Sequence, residues 1–405
     1  MATVQRLKGE RGPDYTVLGS DLLPIAPAQE FLRYLRSTDR PNTLRAYAHG
    51  LAKWWTVLEA TGSKWDDFPP TVFGTFLTYL RSGDLPDTPR IGEPAKPAAA
   101  STVQQRAAAV LAMYTYFRDA KGLEGPYDRL YSSRRRARYS GTATSHRPFL
   151  EGVGPERESR SPVFPVRSGP RKRPPLLEPK AIDLILDTCA SPTDTGGWTG
   201  GLAGLRDRLL FAVLADTGMR LGEVLSLRHQ DFHIGSGGTP WVEVVGRQDH
   251  PHGVRGKTYR ARQIFVTDEL EALYSQYVWA LIDDGADLEV PSLAEHFVFV
   301  NLGAGERYRP LRPETVYSRI RAISTKAGRD LPPSWTPHWF RHTHATTLLL
   351  GGVDVHVVSR RLGHAHVTTT IDTYGWVTDE AEMRAAAQWR SAAVGWKERV
   401  DGDRE

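Results

Sequence analysis

The sequence predicts a mainly α-helical protein with a small β-sheet, built from two helical units joined by a basic connection. Three observations lead there: apolar residues at helical spacing across residues 28–122, a second series of helical periods from Leu176 onward, and only a few short alternating runs between 241 and 300. A length of 405 residues fits two to three domains at roughly 150 residues each. Hydrophobic residues make up 40% of the chain, with eleven Trp and thirteen Phe, enough for two cores and against general disorder. The net charge of +5 permits a polyanionic partner without establishing one. A single cysteine, Cys189, excludes an internal disulfide and any zinc module built on thiolates, which fits a reducing cytoplasmic setting. The longest purely apolar run, Leu209 to Ala215, is far shorter than the roughly 20 residues of a membrane span, and Met1 to Ser20 is too charged for a secretion signal.

In the first unit, Leu44, Tyr47, Leu51, Trp54, Trp55 and Leu58 mark one face of a helix that starts near Pro41. A second helix begins at Ser101, where Ser101 and Gln104 have capping-box spacing, and runs through Val103, Leu111, Tyr114 and Phe117. Shorter helices at 28–36 and 70–81 complete a bundle. Residues 1–27 read as a tail.

Between Gly141 and Pro175, eleven of 35 residues are Gly or Pro, too many for a helix or a central strand, so 123–175 reads as a linker. From Arg129 to Pro174 there are twelve Lys/Arg against three acids, a local +9 that includes Arg134, Arg135, Arg136, Arg171, Lys172 and Arg173. Such a segment is either a solubilising spacer or a strap along a phosphate backbone.

The second unit, 176–377, opens with a Gly-rich loop at 196–204, then a buried helix at 207–216 and the turn Thr217-Gly218-Met219-Arg220. Residues 241–245 and 259–266 suit a hairpin or three-stranded sheet, and 297–300 a short strand or buried run. Helices are expected at 267–283, 313–326, 336–350 and 354–362, with no internal repeat. Residues 378–405 form an amphipathic tail in which Met383, Ala386, Trp389, Ala393, Trp396 and Val400 recur every three or four positions; that face packs either on its own unit or on a neighbouring subunit.

Thr336 and Pro337 read as N-cap and first residue of a helix, so His338 and Arg341 share one face at the positive end of a helix dipole, where an anion such as phosphate binds well. Alternatively Arg341 pairs with a carboxylate and His338 caps a loop. Val355, Val358 and Leu362 form an apolar stripe that Gly363 ends, placing His364 just outside the helix. Tyr374 lies ten residues on. As a nucleophile it needs cations that favour phenolate. His338 and His342 at i,i+4, with His364 and His366, raise the question of a metal, but no H-E-x-x-H motif or carboxylate cluster accompanies them, and no metal is expected.

Taken together, Thr217-Gly-Met-Arg220-Leu-Gly-Glu223-Val-Leu-Ser-Leu, Pro337-His338-Trp-Phe-Arg341-His-Thr-His-Ala-Thr, Leu362-Gly-His364 and Asp372-Thr-Tyr374 resemble the tyrosine recombinase, or phage integrase, family. Each segment is weak alone; four in this order are a strong signal. The likeness covers 176–377 well, and 28–122 fits in kind as the family's helical core-binding domain. It implies an N-terminal core-binding domain and an α-rich recombinase catalytic domain that together clamp duplex DNA.

The resemblance also implies roles. Arg220 and Arg341 match the arginines that bind the scissile phosphate, Tyr374 the nucleophile, His338 and His364 two hydrogen-bonding positions, and Glu223 an acidic position supporting the first arginine. The family takes a general acid from a hairpin lysine. Between Arg220 and His338 only Lys257 and Lys326 occur, and Lys257 lies at the hairpin's second strand, after a connection longer than the family's shortest. Two guanidiniums and imidazole donors can meet the developing phosphate charge without a metal, and a phosphotyrosine ester conserves the bond without ATP, so no cofactor is expected. The function so implied is a site-specific recombinase of a mobile element that cuts and rejoins double-stranded DNA through a 3′-phosphotyrosine. It would work as a tetramer on two sites, near the nucleoid, with room for accessory DNA-bending or directionality proteins and with no membrane partner. A type IB topoisomerase, or a DNA-binding protein without catalysis on the same scaffold, stays open at this point.

Overall fold

The computed structural model describes residues 1–9, 12–37, 41–85, 98–133, 160–164, 173–194, 196–254, 261–377 and 389. Two compact units divide it, Met1–Arg171 and Lys172–Glu405.

In the first unit, β1 (Thr3–Gly9) and β2 (Gly12–Leu18) pair antiparallel from Thr3 opposite Leu18 to Gly9 opposite Gly12. Then come α1 (Ala26–Ser37), α2 (Pro41–Thr61), α3 (Pro70–Ser82), α4 (Ala100–Lys121) and α5 (Glu124–Leu130), and the short strands β3 (Tyr131–Ser133) and β4 (Arg160–Pro162), which pair with each other. Leu44, Leu51, Trp54, Trp55 and Leu58 of α2 are buried as their spacing requires. Trp54 sits at the centre, edge-on to Phe68, Phe73, Phe76 and Tyr114. Its indole Nε1 donates to Tyr114 Oη at 3.1 Å, and that hydroxyl donates to the Trp65 carbonyl at 2.6 Å, so the buried polar atoms are satisfied.

Three expectations need correction here. Residues 1–27 are not a tail, since they hold the paired strands β1 and β2 and the start of α1: Val17 is fully buried, Val4 and Tyr15 are half-buried, and the Ala2 amide donates to Thr56 Oγ1 of α2 at 3.1 Å. Charges between the apolar residues disguised that alternation. Ser101 does not cap α4, which starts one residue earlier with Ala99 at the N-cap and no side-chain bond. The stretch 123–175 is not all linker, because α5 and two short strands occupy parts of it.

The second unit contains α6 (Pro179–Cys189), α7 (Gly201–Thr217), α8 (Leu221–Leu225), β5 (Phe232–His233), β6 (Trp241–Val244), β7 (Arg262–Phe265), α9 (Asp268–Asp283), α10 (Ala286–Glu289), α11 (Pro313–Ala327), α12 (Pro337–Leu350), α13 (Val355–Leu362) and α14 (Val367–Tyr374). The three strands form one antiparallel sheet in the order β5-β6-β7, with Val244 opposite Arg262. α7 is apolar on nearly all sides and runs through the core, burying Leu205, Leu209, Leu210, Phe211, Val213 and Leu214. It begins six residues before the expected Asp207, since the Gly-rich stretch becomes helical against α6. Residues 297–300 make isolated bridges, Arg228 to Phe297 and Val300 to Pro310, rather than a full strand. Ala345, Val358, Leu362, Tyr374 and Val377 form a small apolar cluster of their own, separate from the main core around Phe211, Trp335 and Phe340. Among the described residues, no helix is long and apolar enough to cross a membrane.

Candidate active site

The site begins where α7 ends. Gly218 caps that helix at φ 63°, a left-handed conformation that L side chains avoid, and a Cβ there would stand 2.7 Å from His344 Cδ2. The turn it makes delivers Arg220 to the N-cap of α8. The Arg220 amide donates to Glu223 Oε2 at 3.0 Å and its guanidinium Nη1 to Oε1 at 3.2 Å. Glu223 is wholly buried. It also accepts from Arg262 of β7, Nη2 to Oε2 at 2.9 Å. Burial opposes its ionisation, but the Arg262 charge and hydrogen bond, then the Arg220 amide and charge, outweigh that and hold the carboxyl down at about 2.

This predicts a pH dependence with a definite sign. A carboxyl depressed from 4.5 to about 2 stabilises the fold fully above pH 4.5, and that contribution disappears as pH falls through 4.5 towards 2. It amounts to about 3 kcal/mol. Thermal melts between pH 5 and pH 3 should show the wild type losing stability more steeply than Glu223→Gln, which starts lower at pH 7; parallel curves would contradict the assignment.

Arg341, on the first turn of α12, is 1% exposed. Its Nη1 donates to the Gly218 carbonyl at 2.9 Å and its Nη2 to the Leu362 carbonyl at 2.8 Å. One guanidinium thus satisfies the C-terminal ends of both α7 and α13. Burial and the Arg220 charge push its pKa down to about 9, so it remains charged at neutral pH. Thr336 occupies the N-cap position of α12 without a side-chain cap bond, and Pro337 is the first helical residue.

α13 ends at Gly363, φ 67°, where a Cβ would stand 2.7 Å from Arg262 Nη1. Arg262 therefore packs flush against the backbone that carries His364, and its Nε donates to the Arg361 carbonyl at 2.8 Å. His364 Nδ1 lies 2.7 Å from Thr370 Oγ1. Burial, then Arg341 and Arg220, push its pKa to about 4. His338 is lowered by burial and the same two arginines. Both imidazoles are neutral at pH 7, hydrogen-bonding groups rather than cations.

Tyr374 is the last residue of α14 and 3% exposed. Its hydroxyl is 2.9 Å from His342 Nδ1, and His342 in turn meets His338 edge to face, ring centroids 4.5 Å apart. Burial raises the phenol to about 12 against the opposing charges of Arg341 and Arg220. Arg220, Glu223, His338, Arg341, His364 and Tyr374 are therefore gathered in one place from four segments of chain. Two charged guanidiniums, neutral imidazoles and a hydroxyl suit a singly charged tetrahedral anion.

Residues 28–121 match the N-terminal SAM-like domain of phage integrases, and residues 176–380 match the phage integrase family itself. The chain belongs to the phage integrase family of tyrosine recombinases, enzymes that cleave and rejoin DNA. Transposase A from transposon Tn554 of Staphylococcus aureus is 27% identical to this recombinase over 385 residues, 93% of this chain and 95% of that one. Tyrosine recombinase XerC of Rhodospirillum centenum is 30% identical over 52% of this chain and 53% of its own. Two solved structures share the fold: XerH site-specific recombinase in a post-cleavage complex with palindromic difH substrate (TM-score 0.53, 18% identity, 86% of this chain and 80% of that one) and the Tn1549 transposon integrase with transposon right end DNA (TM-score 0.52, 17% identity, 84% and 92%).

Lys257 lies outside the described residues, as do Arg134, Arg135, Arg136, Arg171, Lys172 and, apart from Trp389, the tail after Val377. Of the linker cations Arg173 is described, with its guanidinium 4.9 Å from the centre of the Trp376 ring. Sequence reasoning missed Arg262, although its place two residues before the inward-facing Ile264 marks it as a buried strand arginine. It also missed the job of His344, whose Nδ1 lies 3.0 Å from the Ala215 carbonyl while Nε2 accepts from Arg361 at 2.9 Å, tying α12 to α7 and α13. Among the described residues, no group of three or more His, Cys, Asp or Glu side chains could hold a metal ion.

Proposed function

We propose that this recombinase cuts each DNA strand by attack of Tyr374 Oη on a scissile phosphate, leaving a 3′-phosphotyrosine and a free 5′-hydroxyl. The observation that carries this is the convergence of the Tyr374 hydroxyl with the charges of Arg220 and Arg341 in a half-buried basket. Arg220 and Arg341 hold the non-bridging oxygens, with His338 and His364 as further donors, and Glu223 fixes Arg220. A 5′-hydroxyl of a second strand reverses the step, so exchange needs no external energy source. The test uses a nicked duplex selected from a random-sequence pool by affinity for the full-length protein. Covalent adduct, digested and sequenced by mass spectrometry, should carry the nucleotide on the peptide that contains Tyr374; adduct on any other residue overturns the assignment.

Lys257 is proposed as the general acid for the departing 5′ oxygen. Lys257→Ala should slow cleavage by roughly two to four orders of magnitude, and a 5′-bridging sulfur, which leaves without a proton, should restore it. A slow variant that sulfur does not rescue moves the role to Arg255 or Arg260.

The likeness to a Tn554 transposase over nearly its whole length supports a mobile element as the substrate, integrated or excised by a tetramer on two sites near the nucleoid, with accessory DNA-bending or directionality proteins as further partners. The units 28–122 and 176–377 would form the two halves of the clamp, with the cations Arg134, Arg135, Arg136, Arg171, Lys172 and Arg173 of the connection as contacts to the phosphates. The tail, 378–405, couples neighbouring subunits.

A further inference from the structure

We propose that His342 is the proton acceptor for Tyr374, an assignment that rests on Tyr374 being the nucleophile. Among the described residues, the group that hydrogen-bonds the phenol oxygen is His342, Nδ1 to Oη at 2.9 Å, and not one matched to the family's machinery. α12 sets this up by spacing alone, since His338 and His342 are one turn apart on one face and their rings meet edge to face. The groups facing His342 are His338 and Arg341 from its own helix and Tyr374 from α14.

The direction of the hydrogen bond follows from chemistry. A phenol raised to about 12 keeps its proton, and an imidazole pushed to about 4 by burial, His338 and Arg341 is neutral. The hydroxyl therefore donates, Nδ1 accepts, and the ring's own proton is on Nε2. With its hydrogen committed to His342, Oη keeps its lone pairs free for phosphorus. A resting imidazole this weak does not ionise the phenol beforehand, so transfer occurs late. As the Oη–P bond forms, the oxygen becomes strongly acidic, and a bound phosphodiester offsets the cationic field of Arg341 and strengthens the base. The proton passes from Oη to Nδ1 while the P–O5′ bond breaks, and the 5′ oxygen takes a proton from Lys257. Rejoining returns each proton to its origin.

The test is single-turnover cleavage of the selected nicked duplex by full-length His342→Ala and His342→Asn, alongside duplex affinity and melting temperature. Asn places an amide oxygen near the Nδ1 position, so it can accept the hydroxyl hydrogen and keep the ring packed, yet it cannot carry the proton. Both variants should bind within about twofold of the wild type and cleave roughly 10² to 10³ times more slowly, and added imidazole should restore part of the rate to His342→Ala. Cleavage by His342→Asn close to the wild-type rate would reduce His342 to a positioning residue and overturn the proposal. Cleavage by a folded His342→Ala within threefold of the wild type would overturn it as well. If His342→Ala fails to fold, His342→Asn alone decides. Peptide mapping of the adduct runs in parallel, so that a nucleophile other than Tyr374 is distinguished from a Tyr374 that needs no His342.

Discussion

Replacing Tyr374 with phenylalanine should leave a folded protein that binds duplex DNA like the wild type and forms no covalent adduct. The ring remains seated among Ala345, Val358, Leu362 and Val377, because the substitution removes only one oxygen from a side chain that is 3% exposed. What is lost structurally is the hydrogen bond to His342 Nδ1 at 2.9 Å, worth about 1 kcal/mol. Chemically everything is lost, since the deleted oxygen is the proposed nucleophile in the field of Arg341 and Arg220. Denaturing gels after incubation with the nicked duplex measure the adduct, and fluorescence anisotropy measures binding. Adduct at the wild-type rate would remove Tyr374 from the mechanism, and loss of binding with the adduct would mean the hydroxyl holds the fold or the DNA instead.

Arg341→Ala should have the largest combined effect on stability and activity. Its guanidinium closes the carbonyls of Gly218 and Leu362, so deletion leaves two buried acceptors and a cavity where a large side chain was 1% exposed. At about 1.5–3 kcal/mol for each hydrogen bond to a charged group, the loss is on the order of 3–6 kcal/mol, or roughly 10 °C in the unit's melting temperature. Cleavage should fall by at least about 10³ through loss of phosphate stabilisation. Arg220→Ala separates the two contributions. The Arg220 side chain is 26% exposed and leaves no carbonyl orphaned by any bond described, so its removal should damage cleavage far more than melting temperature. Equal melting temperatures for Arg341→Ala and wild type would show that the two carbonyls find other partners.

Much of this is legible in the sequence because the relevant signals are local. The 3.6-residue period placed α2, α12 and α13, and glycine at the ends of α7 and α13 marked the turns that deliver Arg220 and His364. α14 carries no helical signal in the sequence, because Thr368-Thr-Thr-Ile is a β-branched run with weak helix propensity; packing of Thr370 and Tyr374 against α13 overrides it. The strands at the start are not legible in the sequence because they gain their burial from α2, more than twenty residues away. Arg262 and His342 belong to the same class of omission. Their partners, Glu223 and Tyr374, are 39 and 32 positions distant, and neither pairing has a spacing that could announce it.

The small apolar cluster that holds Tyr374 has a dynamic consequence. Clusters separate from the main core open at lower free energy than the whole unit and tend to open as one piece. If the segment from Val355 to Val377 lifts away from α12, Tyr374 departs from His342, His364 leaves with the same segment, and Arg341 gives up the Leu362 carbonyl in the same event. Tyr374 and His364 are thus present together or absent together. Backbone amides of α13 and α14 should exchange with solvent as one group, ahead of those of α7, and DNA bound in the basket should slow that group as a whole.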